Sequence, residues 1–193
     1  ERHSADLWQA FDADNGAMWT YLTSGPFADE AAMGEWLRGI SLNADPQFYA
    51  IVDEASGKAL GLASYLRIDP RAGSMEVGWL HFSPALQQSR LATAAMALMM
   101  DNAFALGYRR YEWKCNALNE PSRIAALRYG FAYEGTFRQH MIVKGRNRDS
   151  AWYSIIDSEW PDLARAHAAW LSPENFDADG RQRKSLSELT AKG

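Results

Sequence analysis

Met33, Trp36, Leu37 and Ile40 recur at three- and four-residue intervals, so residues 29–41 read as a helix with one buried stripe. A shorter helix is expected over residues 5–12, with Ser4 as its N-cap. Between the two, Gly16, Gly25 and Pro26 interrupt the chain, and residues 15–26 read as a loop. Strand-like runs follow at residues 48–53, 58–68 and 74–82. Each is closed by Gly, Pro, Asp or Ser, which suits an antiparallel meander. Ala92, Met96, Met99, Ala103 and Leu106 restore helical spacing over residues 91–106, and Gly107 closes that helix. Tyr111, Trp113 and Cys115 then alternate with Arg110, Glu112 and Lys114, the mark of a half-buried strand over residues 109–116. A helix beginning at Glu120 or Pro121 runs to Tyr129 and stops at Gly130. Residues 131–143 and 148–157 read as long strands joined by the turn Lys144-Gly145-Arg146-Asn147, and residues 161–171 as a last helix. The remainder, residues 172–193, is polar apart from Phe176, Leu186 and Leu189 and reads as an arm or tail. This order predicts an α/β fold of mixed α+β type, with helices packed on a mixed sheet, in a single domain over residues 1–171.

Composition narrows the functional classes. At 193 residues the chain is long enough for one domain with a sizeable core. It is 47% apolar and 23% charged, as a soluble globular protein is. Its formal charge of -4 argues against a dedicated nucleic-acid binder and leaves room for a cationic acceptor. No apolar run reaches the roughly 18 to 20 residues that span a bilayer, and the first residues carry no signal-peptide pattern. Cys115 is the only cysteine, which forbids an intrachain disulfide and fits a reducing cytoplasm. It sits in a strand-like run and reads as a buried core thiol. His3, His81, His140 and His167 lack metal-ligand spacing, and no metal site is assigned.

The chemistry is expected between the strand over residues 74–82 and the helix after it. A helix start exposes unpaired N–H groups and the positive end of its dipole, which suits a diphosphate. Gln87, Gln88, Ser89 and Arg90 add donors and one positive charge there.

The segment Pro84-Ala85-Leu86-Gln87-Gln88-Ser89-Arg90-Leu91-Ala92-Thr93 resembles the cofactor segment of Gcn5-related N-acetyltransferases (GNAT). So do Asn119-Glu120-Pro121-Ser122-Arg123 before Leu127-Arg128-Tyr129-Gly130-Phe131, then Glu134-Gly135-Thr136-Phe137-Arg138, then Gly145-Arg146-Asn147-Arg148-Asp149. The RimJ/RimL-like branch is the most similar, and the resemblance covers about residues 5–161. It implies a central, mostly antiparallel sheet flanked by helices, with a V-shaped cofactor cleft. It also implies acetyl-CoA as co-substrate and acetyl transfer to a primary amine by direct attack. A protein N-terminus, a lysine, a polyamine or a small amine would serve as acceptor.

The resemblance also assigns residues. Backbone groups of Trp79, Leu80, His81 and Phe82 would pair with the pantetheine arm. Gln87, Gln88, Ser89, Arg90, Leu91, Ala92 and Thr93 would hold the diphosphate, and Asn119 would hydrogen-bond the cofactor. Ser122 would lie near the thioester sulfur and protonate the departing thiolate. Asn119 and Ser122 can equally serve as cap and first-turn polar residues of their helix. Glu76 is the leading general base, with a surface or capping carboxylate as its structural alternative. His81 would titrate near neutral pH if unperturbed. It lies five positions from Glu76, on the opposite face of an ideal strand, and a bulge there would change that. Glu112 is a third candidate, or else an ion-pair partner of Lys114 or Arg110. Arg138, His140 and Asp149 lie on strands that shape acceptor sites in the family, and Trp19, Tyr21 and Phe27 would form a lid or simply pack.

Several departures stand out. Arg90 replaces a family glycine, Ala94 a usual glutamate, and Ala126 the tyrosine that relatives use as general acid. They keep open an alternative, an acyl-CoA-binding or regulatory module with little turnover. Relatives begin with a short strand before the first helix, and nothing before His3 supplies it. Either the sequence as given is clipped there, or the strand is absent and the sheet edge would be altered, or completed by another chain as in a homodimer.

Overall fold

The computed structural model describes residues 2–191, which fall into two compact units. One comprises residues up to 68 together with 76–95, and the other residues 69–75 together with those from 96 onward. The first unit holds α1 (Ser4–Asp12), a 3-10 turn (Ala17–Thr20), α2 (Glu30–Ser41), β1 (Gln47–Val52) and nearly all of β2 (Ala59–Asp69) and β3 (Ser74–Phe82). Its strands run in the order β1-β2-β3. β1 and β2 are antiparallel, with Tyr49 opposite Ala63. The core gathers Leu7, Phe11, Trp19, Met33, Ala59 and Leu62, with Phe27, Trp36 and Phe48 against its margin. Trp19 meets Phe11, Phe27 and Trp36 edge to face at 5.8, 5.3 and 6.2 Å. A Cβ on Gly25, which has a φ of +56°, would stand 2.4 Å from the Trp19 ring. The stretch expected as an aromatic lid is therefore pinned to the core through Trp19.

α3 (Arg90–Ala105) begins in the first unit and continues into the second. The second unit adds β4 (Arg110–Asn116), α4 (Glu120–Arg128), β5 (Ala132–Val143), β6 (Arg146–Ile156), α5 (Trp160–Leu171), a 3-10 turn (Pro173–Asn175) and α6 (Leu186–Thr190). Here the order is β4-β6-β5, all antiparallel. Tyr111, Trp113 and Cys115 lie opposite Ile155, Tyr153 and Ala151, and all six are buried. The expected alternation of β4 is thus present.

The elements differ from expectation where local chemistry intervenes. Ser4 lies inside α1, and His3 stands at its N-cap without a capping side-chain bond. Leu106, expected in the buried stripe of α3, is 64% exposed. The helix ends one residue earlier, and Gly107 at φ +90° turns the chain so that the Tyr108 N–H returns to the Ala103 carbonyl. The four-residue hairpin turn is a two-residue one. Lys144 and Gly145 are both left-handed, with φ of +50° and +74°, as a type I′ turn demands, so Arg146 and Asn147 already belong to β6.

The segment after Leu171 folds onto α4 and α5. The Trp170 indole N–H donates to Gln182 Oε1 at 2.8 Å, and Phe176 meets Trp170 edge to face at 5.3 Å. α6 starts with a capping box, Ser185 and Glu188 exchanging side-chain and backbone bonds. Leu186 is fully buried, and the Thr190 hydroxyl reaches the Arg128 carbonyl at 3.2 Å. Leu186→Ala should therefore lower the unfolding free energy in urea by roughly 2 to 5 kcal/mol, the usual cost of emptying a packed leucine site. An unchanged midpoint would show that α6 is dispensable.

Candidate functional site

The loop between β3 and α3 is built from its own backbone. The Ser83 carbonyl accepts the N–H groups of Leu86 and Gln87, both at 2.9 Å, and the Leu86 carbonyl accepts that of Ser89 at 3.3 Å. Leu86 is fully buried. It fills a notch that exists because residue 61 is glycine: a Cβ there would meet Leu86 Cδ2 at 2.5 Å and the His81 carbonyl oxygen at 2.7 Å. Ser89 caps α3, its hydroxyl donating to the Leu86 carbonyl at 2.6 Å and accepting the Ala92 N–H at 3.0 Å. The Gln87 side chain donates to the Phe82 carbonyl at 2.8 Å. Gln87 and Ser89, read from sequence as donors to a ligand, thus hold the loop itself, while Gln88 and Arg90 are exposed. Ala92 and Thr93 are buried, and Leu91 is half-buried. Arg90 is the first helical residue, and the left-handed position of the loop is Gln88, with φ +56°. The arginine in place of the family glycine therefore carries no backbone strain.

β3 is interrupted at Trp79, which has a φ of +50°. Left-handed backbone at a bulky residue costs on the order of 1 to 3 kcal/mol. Two side chains grip the carbonyls around it: the Ser64 hydroxyl donates to the Gly78 carbonyl at 3.0 Å, and His81 Nδ1 lies 2.7 Å from the Trp79 carbonyl. Only an N–H can bond a carbonyl oxygen, so Nδ1 carries the proton and Nε2 is a bare lone pair. The imidazole is fully buried among Phe11, Trp19 and Trp36, 6.0, 5.3 and 5.3 Å away between ring centres. Burial pushes its pKa down to about 4. The condition attached to His81, that it be unperturbed, is not met: it is a buried, neutral core group.

Glu76 is also buried, as are its neighbours Met75 and Val77, so both faces of β3 are covered ahead of the break at Trp79. Glu76 Oε2 lies 3.5 Å from Arg67 Nε, and Oε1 lies 3.5 Å from where a Cβ on Gly78 would stand, beside the interruption. The surface-carboxylate alternative for Glu76 fails on this burial.

In the second unit, Asn119 caps α4, its Oδ1 accepting the Ser122 N–H at 3.2 Å. The Trp113 indole N–H donates to Ser122 Oγ at 3.1 Å, and the Ser122 hydroxyl neighbours the Cys115 thiol. Glu112 is clamped between Arg110 at 2.7 Å and Lys114 at 3.0 Å. Burial would raise its pKa, but the bonds from those two cations outweigh burial and hold it below the usual carboxylate range. Glu112 therefore stays ionised as a structural group and not a base. Arg110 also grips Glu134, driving that carboxyl down to about 2. Ala126, at the family tyrosine position, is fully buried.

The irregularity in β5 has no counterpart in the local residue pattern. Phe137 pairs with Ser150 and Met141 with Arg148, so Arg138, Gln139 and His140 bulge opposite Asp149. Asp149 staples the bulge by accepting the Gln139 N–H at 2.7 Å and the Asn147 amide at 2.9 Å. His140 Nδ1 lies 2.9 Å from Ser150 Oγ. Phe137 to His140 line an open cleft of about 840 Å³. Asp149 is thus a structural staple, while Arg138 and His140 are exposed in the cleft.

Stability should respond to acid in two steps. His81 has a lower pKa folded than unfolded, so its contribution is complete above pH 6.5 and lost as the pH falls toward 4. His167, depressed by burial, acts in the same sense. Glu134 loses its contribution lower, as the pH falls from 4.5 toward 2. Urea titrations from pH 7.5 to 3 should show both steps, and a flat unfolding free energy between pH 7 and 4.5 would contradict the neutral burial of His81.

A family model described as an acetyltransferase (GNAT) domain matches residues 1–132. A GCN5-related N-acetyltransferase from Brucella melitensis, solved by crystallography, superposes with a TM-score of 0.95 at 48% identity, covering 98% of this chain and 86% of that one. A probable acetyltransferase of the GNAT family from Chromobacterium violaceum gives 0.78 at 44% identity, over 83% of this chain and 80% of that one. The ribosomal-protein-serine acetyltransferase of Escherichia coli is 32% identical over 101 residues, which take in 52% of this chain and 56% of that protein's length. With a model spanning more than half its length and a solved relative matching nearly all of it, this chain belongs to the GNAT acetyltransferases, a family that uses acetyl-CoA as co-substrate.

Proposed function

We propose that this chain moves the acetyl group of acetyl-CoA onto a primary amine by direct attack. The observation that carries the reading is the rigid β3–α3 unit: an interrupted strand, a self-bonded loop and the positive end of a sixteen-residue helix in sequence. The helix start supplies backbone donors and dipole for the diphosphate. Arg90, exposed on its first turn, supplies a charge-assisted bond. Backbone N–H groups near Trp79 and Leu80 polarise the thioester oxygen as the amine nitrogen bonds to the acyl carbon. The C–S bond then breaks, the amine proton passes to Glu76, and the thiolate takes a proton through Ser122, which regains one from solvent as Glu76 releases its own to solvent. Asn119 and Ser122 enter through the family resemblance, and both also serve α4 as cap and first-turn residues. Acceptors are a protein N-terminus, a lysine or a small amine. The name of the Escherichia coli relative supports a protein acceptor among these.

The competing reading, an acyl-CoA-binding module without turnover, draws on Ala94 and Ala126. Thiol release from acetyl-CoA with a panel of amines separates the two. Release with one or more amines supports the transferase, whereas binding without release for any amine supports the module. Glu76→Gln should slow transfer by about 10²- to 10⁴-fold and remove the limb of the rate–pH curve that reports the base. Asn119→Ala and Ser122→Ala should lower the rate. A Glu76→Gln curve identical to wild type would remove the base assignment, and calorimetry showing no heat with acetyl-CoA would remove the whole reading.

A further inference from the structure

We infer that His81 is a positioning residue for the acyl-donor strand, holding the Trp79 carbonyl so that the backbone of β3 keeps the left-handed break an acetyl-CoA substrate meets. This rests on the acetyl-donor reading above. The argument begins from what histidine costs at this place. The ring is fully buried in an aromatic box of Phe11, Trp19 and Trp36, and Nε2 has no hydrogen-bond partner among the described residues. A phenylalanine would fill the same box with no unmet lone pair, so packing alone disfavours histidine. What the imidazole adds is one N–H, and that N–H is spent on the Trp79 carbonyl at 2.7 Å.

The bond has a directional consequence. In a planar trans peptide the N–H points opposite the carbonyl. Holding the Trp79 carbonyl therefore aims the Leu80 N–H away from His81. Ser64, by holding the Gly78 carbonyl at 3.0 Å, likewise aims the Trp79 N–H. Two successive donors of β3 are oriented by side chains from within the same unit. A glycine at position 79 would adopt φ +50° freely. Tryptophan does not, and the two side-chain bonds stand in for that freedom.

The test is a crossover between two substitutions. His81→Phe keeps the box filled and removes the donor. His81→Asn keeps an amide donor on a short side chain and leaves the box underfilled. Acetyl-CoA affinity is read by calorimetry, stability by urea unfolding. His81→Phe should be at least as stable as His81→Asn yet bind acetyl-CoA about tenfold more weakly than wild type, the factor one such bond is worth. His81→Asn should stay within about threefold of wild type in affinity. With an active acceptor, the KM for acetyl-CoA should rise in His81→Phe while the KM for the acceptor holds. Ser64→Ala gives the same reading if His81→Phe does not fold: weaker donor binding in a folded chain. Wild-type affinity in His81→Phe, or in Ser64→Ala where that variant stands in, overturns the inference, as does His81→Asn binding as weakly as His81→Phe. A wild-type chain that gives no heat with acetyl-CoA overturns the acetyl-donor reading and this inference with it.

Discussion

A loop that receives a ligand has to keep its shape without the ligand, and its backbone groups need partners other than the ones the ligand will use. The β3–α3 loop, proposed as the diphosphate site, meets this constraint through one apolar anchor and a few short bonds. Leu86 sits in a notch that only a glycine at position 61 leaves open, and the surrounding carbonyls are taken by the loop's own N–H groups and by Gln87 and Ser89. The position of the helix start follows from that anchor. A side chain at residue 61 would push on Leu86 and on the β3 backbone at the same point, so the strand, the loop and the helix start are mechanically one object.

Charge is handled differently in the two units. In the second, Arg110, Glu112, Lys114 and Glu134 form a connected set on the sheet, with Lys114 also 3.6 Å above the Trp152 ring. Every carboxylate in that set is committed to cations. In the first unit the buried polar groups of β3 are a neutral imidazole that hydrogen-bonds backbone and a carboxylate facing Arg67 beside the strand break. The contrast is why Glu76 remains the candidate for moving a proton while Glu112 does not.

Much of the fold could be read from the chain because its periods are long and its breakers are strong. The stripes of α2 and α3, the alternation of β4 and the glycine ends of α3 and α4 are each set by residues close in sequence. α6 has no stripe in the residue pattern, although Ser185 and Glu188 are a readable capping box, because five residues give too little periodicity to register. The β5 bulge left no signal at all. It depends on Asp149 reaching the Gln139 N–H across the hairpin, a contact between strands that no local pattern encodes. The site residues divide along the same line. Motif order pointed to the β3–α3 loop, but the inward commitment of Gln87 and Ser89 and the burial of His81 arise from packing. The substitution at Arg90 looked disruptive in a motif and is harmless on a helix.

Cys115 carries a practical consequence. It is the sole sulfhydryl of the chain, 5% exposed, and burial raises its pKa, so it is held as the unreactive thiol. A chromophoric disulfide added to the folded protein would meet no competing nucleophile, and colour would track free coenzyme alone. The same dye without coenzyme would time the moments when β4 opens and Cys115 becomes reachable, so this one sulfur atom serves both as a silent background for turnover and as a built-in clock for local unfolding.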